Sequence, residues 1–150
     1  MKSKNENFPI RRNFSRHISP SNSNKSEPEI GWFSISHTFI NEKENRRKMY
    51  SKWFCLKSGN NKIYRQLKFD PTLNSTDNPQ ITIDWQGFIE LHGYEVKSDF
   101  KEIDCEIRPA NSIECIIANY NHPNQGLRAA YQISLLSLLI GIISILISIF

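Results

Sequence analysis

Nine lysines and arginines fall between positions 41 and 68 against two glutamates, a local balance of +7. Guanidinium and ammonium groups at this density hold phosphates, carboxylates or anionic lipid head groups through charge-assisted hydrogen bonds. The candidate ligand-binding residues are Arg46, Arg47, Lys48, Lys52, Lys57, Lys62, Arg65 and Lys68. Residues 69–128 carry four basic and ten acidic side chains, a balance of −6, so the net charge of +4 conceals a polarised body. The basic half is suited to an anionic small ligand such as a nucleotide, or to a membrane surface; nucleic acid is not expected. The competing account is a solvated charged face balanced by the acidic half of the same domain.

Other chemistry finds little support. GxSxG, GxxxxGK[ST], HExxH and GxGxxG are all absent, and His17, His37, His92 and His122 stand apart from one another. Cys55, Cys105 and Cys115 form no CxxC pair, so neither a zinc site nor any other cofactor is expected. The chain reads as a non-enzyme.

The strongest element is the segment 129–150, AAYQISLLSLLIGIISILISIF, which holds no charge and no proline. As a helix it spans about 33 Å, against about 30 Å of hydrocarbon in a bilayer. A single transmembrane helix follows, with Tyr131 and Gln132 near the entry interface. Ala130, Ser134, Ser137, Gly141, Ser144 and Ser148 recur at spacings of three and four, which places them on one stripe. Small residues let helix backbones approach closely in lipid, so the stripe predicts helix packing, either in a homo-oligomer or with a membrane protein partner. Arg128 precedes the helix and no apolar segment follows Met1, so the expected arrangement is a tail-anchored protein with its N-terminal domain in the cytosol.

Between Ile30 and His122 the apolar pattern has a period of two. Phe33, Ile35, His37 and Phe39 alternate with their neighbours, as do Ile63, Arg65, Leu67 and Phe69, and then Ile81, Ile83 and Trp85. Turn residues at 41–48, 58–61, 71–79, Trp85-Gln86-Gly87 and His92-Gly93 separate these runs. The pattern predicts a mainly β domain, a small antiparallel barrel or sandwich of six to eight strands. KEIDCEIRPANSIECIIAN predicts one hairpin, turning at Pro109-Ala110 with Asn111 in the left-handed position. That register sets Ile107 against Ile113, Cys105 against Cys115, Ile103 against Ile117 and Glu106 against Glu114. In a reducing cytosol the facing cysteines are expected to be thiols packed as small hydrophobes.

Residues 1–29 are rich in serine, asparagine and basic side chains and are expected to be a disordered tail. Phe8, Ile10, Phe14 and Ile18 interleave there with Arg11, Arg12 and Arg16, which offers an alternative short basic amphipathic patch. The predicted plan is therefore a tail (1–29), a cytosolic β domain (30–122), a juxtamembrane linker (123–128) and a membrane helix (129–150).

Tyr50-Ser51-Lys52-Trp53-Phe54-Cys55-Leu56-Lys57-Ser58-Gly59 is similar to the first hairpin of pleckstrin-homology domains, where basic residues meet phosphoinositides. The closing amphipathic helix of that family has no counterpart before the apolar tail, so the family is not assigned. The plan as a whole resembles membrane-linked effectors of bacterial antiviral systems, which join a β-rich nucleotide-sensing domain to membrane helices. That resemblance implies ligand-gated perturbation of a membrane. The residues themselves predict an interaction module held at a bilayer, with anionic-lipid binding as a further alternative.

Overall fold

The computed structural model describes residues 8–16, 29–40, 42–93 and 102–149. The strands are β1 (Ile10–Arg16), β2 (Trp32–Ile35), β3 (Trp53–Ser58), β4 (Asn61–Phe69), β5 (Gln80–Ile83) and β6 (Glu102–Pro109). A 3-10 turn (His37–Phe39) and α1 (Lys43–Met49) lie between β2 and β3, and α2 (Trp85–His92) follows β5. After β6 come α3 (Ser112–Tyr120) and α4 (Gln125–Ile149). The strands close into a barrel in the order β1-β5-β2-β4-β3-β6, with β6 returning to β1.

A small barrel followed by one long apolar helix is what the sequence predicts, but the sheet is mixed rather than antiparallel. β1 runs parallel to β5, and β2 runs parallel to β4. Parallel neighbours need a crossover, and the 3-10 turn, α1 and β3 supply it between β2 and β4. The β3–β4 hairpin closes through Gly59-Asn60, between the paired Ser58 and Asn61. Gly59 has φ +56°, the left-handed value that a two-residue hairpin loop demands at its first position.

The period-two pattern becomes the barrel interior. Phe33 and Ile35 of β2, Phe54 and Leu56 of β3, Leu67 of β4, Ile81 and Ile83 of β5, and Ile103 and Ile107 of β6 are all buried. Phe33 and Phe54 meet edge to face with centroids 5.8 Å apart. Each such side chain removed from water contributes about 1.5–3 kcal/mol.

β1 corrects the expectation of a disordered 1–29 tail. Ile10 through Ser15 pair with Ile107 through Glu102, and Ile10 and Phe14 enter the core. The segment's composition is polar, yet two large side chains at the right spacing suffice for a strand when flanking edges already await a partner. Arg11 and Asn13 stay exposed, which is why composition alone reads the stretch as solvated. Residues 17–28, including Ile18, lie outside the described set.

Other expectations change as well, and residues 43–48, expected within a turn, lie in the helix α1. The Pro109-Ala110-Asn111 hairpin does not form: β6 ends at Pro109 and α3 begins at Ser112. Asn111 Oδ1 accepts from Glu114 N at 2.8 Å while Glu114 Oε2 accepts from Asn111 N at 3.0 Å, a reciprocal capping box that starts a helix. Cys105 is consequently inside the barrel and Cys115 half-buried on α3, rather than being cross-strand neighbours. Trp85-Gln86-Gly87 is the first turn of α2, capped by Asp84, and Gly93 is its left-handed C-cap with φ +78°. The expected linker is largely helical, since α4 already begins at Gln125.

Burial of Phe14 predicts that Phe14→Ala lowers the unfolding free energy by about 3–5 kcal/mol. Denaturant titration of the full chain in mild detergent, followed by circular dichroism, measures this; a disordered segment would register no change.

Candidate functional site

The eight basic candidates do not converge. Lys57 and Lys62 face each other beside the Gly59 turn, whereas Lys68 lies six positions further along β4, about 20 Å away at strand rise. Arg46, Arg47 and Lys48 are on α1, and Lys52 precedes β3. Several are spoken for. Lys48 bonds Glu44 at 2.7 Å on the helix surface, and the Arg46 guanidinium donates to Ile40 O at 2.7 Å. Lys68 meets Glu29 at 3.1 Å and lies 4.4 Å from the Trp32 ring centroid. Tyr50, half exposed, packs against the same ring. Arg47, Lys52, Lys57 and Lys62 reach solvent.

Lys57 also sits opposite Glu106, and Glu106 opposite Arg11, so β3, β6 and β1 carry a row of alternating charges. A shallow cavity of about 170 Å³ lined by Arg11, Lys57, Gly59, Asp104 and Glu106 lies there. Two cations and two carboxylates compensate each other, so the cavity has no net preference for a polyanion.

Arg65 is a correction to the candidate set. It is 4% exposed and lies inside the fold with no access to a solvent ligand. Its Nε donates to Asp84 Oδ2 at 2.6 Å, and its Nη2 to Asp84 Oδ1 at 3.3 Å and Glu90 Oε2 at 3.2 Å. Its Nη1 donates to Tyr64 O at 3.0 Å. A buried guanidinium is tolerated only when its protons are met in this way. Asp84 in turn accepts from the backbone of Gly31 at 2.9 Å and from Gly87 N. Gly87 has no room for a side chain: a Cβ would lie 2.9 Å from Asp84 Oδ1 and 3.0 Å from the guanidinium.

The second ion pair fastens α3. Arg108 donates to both oxygens of Glu114, at 2.7 and 2.8 Å, and the Tyr64 hydroxyl reaches Oε1 at 3.3 Å. Glu114 therefore faces Arg108 and not Glu106, and the Arg108 guanidinium holds its carboxyl at about 2. Burial pushes the Cys105 thiol up to about 12 and also raises Cys55 and Cys115, so the described thiols are poor nucleophiles.

His122 joins the barrel to α4. It is 4% exposed, its ring stands edge-on to Trp53 at 5.3 Å, and its Nδ1 accepts from Asn124 N at 3.0 Å. Burial, with Arg65 nearby, pushes its pKa down. A Cβ on Gly31 would come within 3.0 Å of this ring, and the φ of +96° there also favours glycine. Asn124 Oδ1 then caps α4 by accepting from Gly126 N and Leu127 N at 3.0 and 3.3 Å.

α4 is long and apolar enough to cross a bilayer; its most apolar 18-residue stretch has a mean hydropathy of 2.4 and no residue buried in the fold. Its 25 residues span about 37 Å. Ala130, Ser134, Ser137, Gly141, Ser144 and Ser148 are all exposed, and a Cβ on Gly141 would meet nothing. Ser134 Oγ donates to Ala130 O at 2.8 Å and Ser144 Oγ to Ile140 O at 2.9 Å, so these hydroxyls are satisfied within the helix.

Sequence reasoning passed over Asp84, Glu90, Gly31 and Gly87. The signal available was Asp84-x-x-Gly87 read as a cap rather than a turn, and Asn111-x-x-Glu114 read as a capping box.

Arg65→Ala should destabilise the fold by about 3–5 kcal/mol because it strands buried Asp84, whereas Lys62→Ala should change stability by no more than about 0.5 kcal/mol; thermal melts of the two variants decide. For Glu114, the folded pKa of about 2 lies below the ordinary 4.5, so its stabilisation is complete above pH 4.5 and lost as pH falls through about 2. Melting temperature against pH should show that decline, and Glu114→Gln should flatten it. No protein-family profile, curated protein or solved structure matches this chain.

Proposed function

We propose that this chain is a single-pass membrane protein whose barrel is presented on the cytosolic face of a bilayer as a binding module, with α4 as both anchor and association element. The observation that carries this reading is the exposure of α4's apolar stretch: none of it is buried, only its first turns, at Gln132 and Leu135, are partly covered among the described residues, and water would not tolerate so large an apolar surface. Arg128 next to the uncharged run supports the cytosolic side for the barrel. The exposed stripe from Ala130 to Ser148 supports packing against a second copy or another membrane helix, since the in-helix serine bonds leave a smooth surface for close approach.

Binding is favoured over catalysis because the buried charged side chains Arg65, Asp84 and Glu114 are engaged in holding elements together, and the raised thiols and compensated cavity offer no activated group. A nucleotide-gated effector remains a weaker second reading. Its support is limited to the exposed Arg47 and Lys52 and to the Lys57–Lys62 pair beside the Gly59 turn.

Two measurements test the proposal. The full chain should stay with membranes in alkaline carbonate, and a protease added to the cytosolic side should remove an N-terminal tag. Recovery in the soluble fraction would refute the anchor. Ser137→Leu with Gly141→Leu should reduce cross-linked oligomer in detergent while leaving membrane association intact, and an unchanged oligomer yield would refute the association face.

A further inference from the structure

α3 turns its polar side inward. Glu114 and Ala118 are buried and Cys115 and Asn119 half-buried, while Ile113, Ile116, Ile117 and Tyr120 are 69%, 54%, 43% and 48% exposed. These four occupy i, i+3, i+4 and i+7, a continuous apolar stripe. Glu114 is the sole charged residue of α3, and Arg108 holds it on the barrel side. Nothing on the outward face opposes contact with lipid.

The position of this stripe is set by α4. Gln132 Nε2 donates to Tyr120 O at 3.3 Å, and Tyr131, Gln132 and Leu135 are half covered within a helix otherwise exposed along its length. The last turn of α3 thus lies beside the first uncharged turns of α4, one turn past Arg128. If α4 spans a bilayer, that height is the boundary between head groups and acyl chains, where tyrosine is favoured.

We propose that α3 is an interfacial helix: Ile113, Ile116, Ile117 and Tyr120 seat in the phospholipid leaflet that α4 enters and clamp the barrel against the bilayer. This rests on the anchoring role proposed for α4. The occupant is lipid rather than a protein because the stripe is continuous with the apolar surface of α4 at their contact. The outward face also lacks lysine and arginine, so seating depends on apolar burial alone. Neutral phosphatidylcholine is therefore sufficient, and salt has little effect.

The test uses the full chain carrying Ile116→Cys in a Cys115→Ala background, labelled with an environment-sensitive fluorophore and reconstituted into phosphatidylcholine vesicles. Cys55 and Cys105 are buried with raised pKa values and resist labelling in the folded protein. Asn60→Cys in the same background, at the exposed β3–β4 turn, is the reference. The label at 116 should emit to the blue of the label at 60 and be quenched by lipids brominated near the head-group end of their chains, equally at low and high salt. A chain that resists carbonate extraction but shows solvent-like emission at 116 overturns the inference and leaves the anchor standing. Shielding at 116 from aqueous iodide without quenching by bromolipid also overturns it, since a protein would then cover the stripe. Release of the chain by carbonate overturns the anchor and this inference together.

Discussion

A guanidinium withdrawn from water must find acceptors for its protons, and meeting that demand for Arg65 organises one side of the barrel. Desolvating an ion costs several kcal/mol unless good geometry repays it. The repayment comes from Asp84, Glu90 and the Tyr64 carbonyl. Because Asp84 also caps α2 and accepts from Gly31, one charge ties β4 to the helix after β5 and to the entry of β2. Gly87 and Gly31 are glycines because the room around this cluster and the adjoining His122 is already taken.

His122 extends the same assembly toward the membrane helix. Its ring fills the space between Trp53 and Gly31, and two residues later Asn124 caps α4. The base of α4 is therefore positioned by packing and hydrogen bonds and not by a free tether. The Arg108–Glu114 pair performs a parallel task for α3, orienting its polar side to the barrel. Both ion pairs spend charge on architecture. That is why so many of the titratable groups that look chemically promising in one dimension are structural in three.

Barrel closure places a different constraint on the chain. β5 and β6 each need a neighbour, and β1 provides it from a segment whose composition is that of a solvated tail. Unpaired edges cost the fold and invite aggregation, so a strand with only Ile10 and Phe14 as inward anchors is recruited. Tertiary pairing outweighs composition here because the hydrogen-bonding partners are already in place.

What the sequence by itself determined is the content of local, periodic signals. The uncharged run to Ile149 specified a long apolar helix, since its length and hydropathy need no partner to be recognised. The alternation of Phe33 and Ile35, of Ile63 and Leu67, and of Ile81 and Ile83 specified strands with one buried face. The turn at Gly59 was equally legible. Where two periods overlap, local reading failed. Residues 113, 115 and 117 fit a strand while 113, 116, 117 and 120 fit a helix, and the capping box decided for the helix. Only the tertiary structure decided that Arg65 faces Asp84, 19 positions away, that Lys68 faces Glu29, 39 positions away, and that β1 belongs to the barrel. Those outcomes depend on which distant groups are brought together, and short-range spacing carries no record of that.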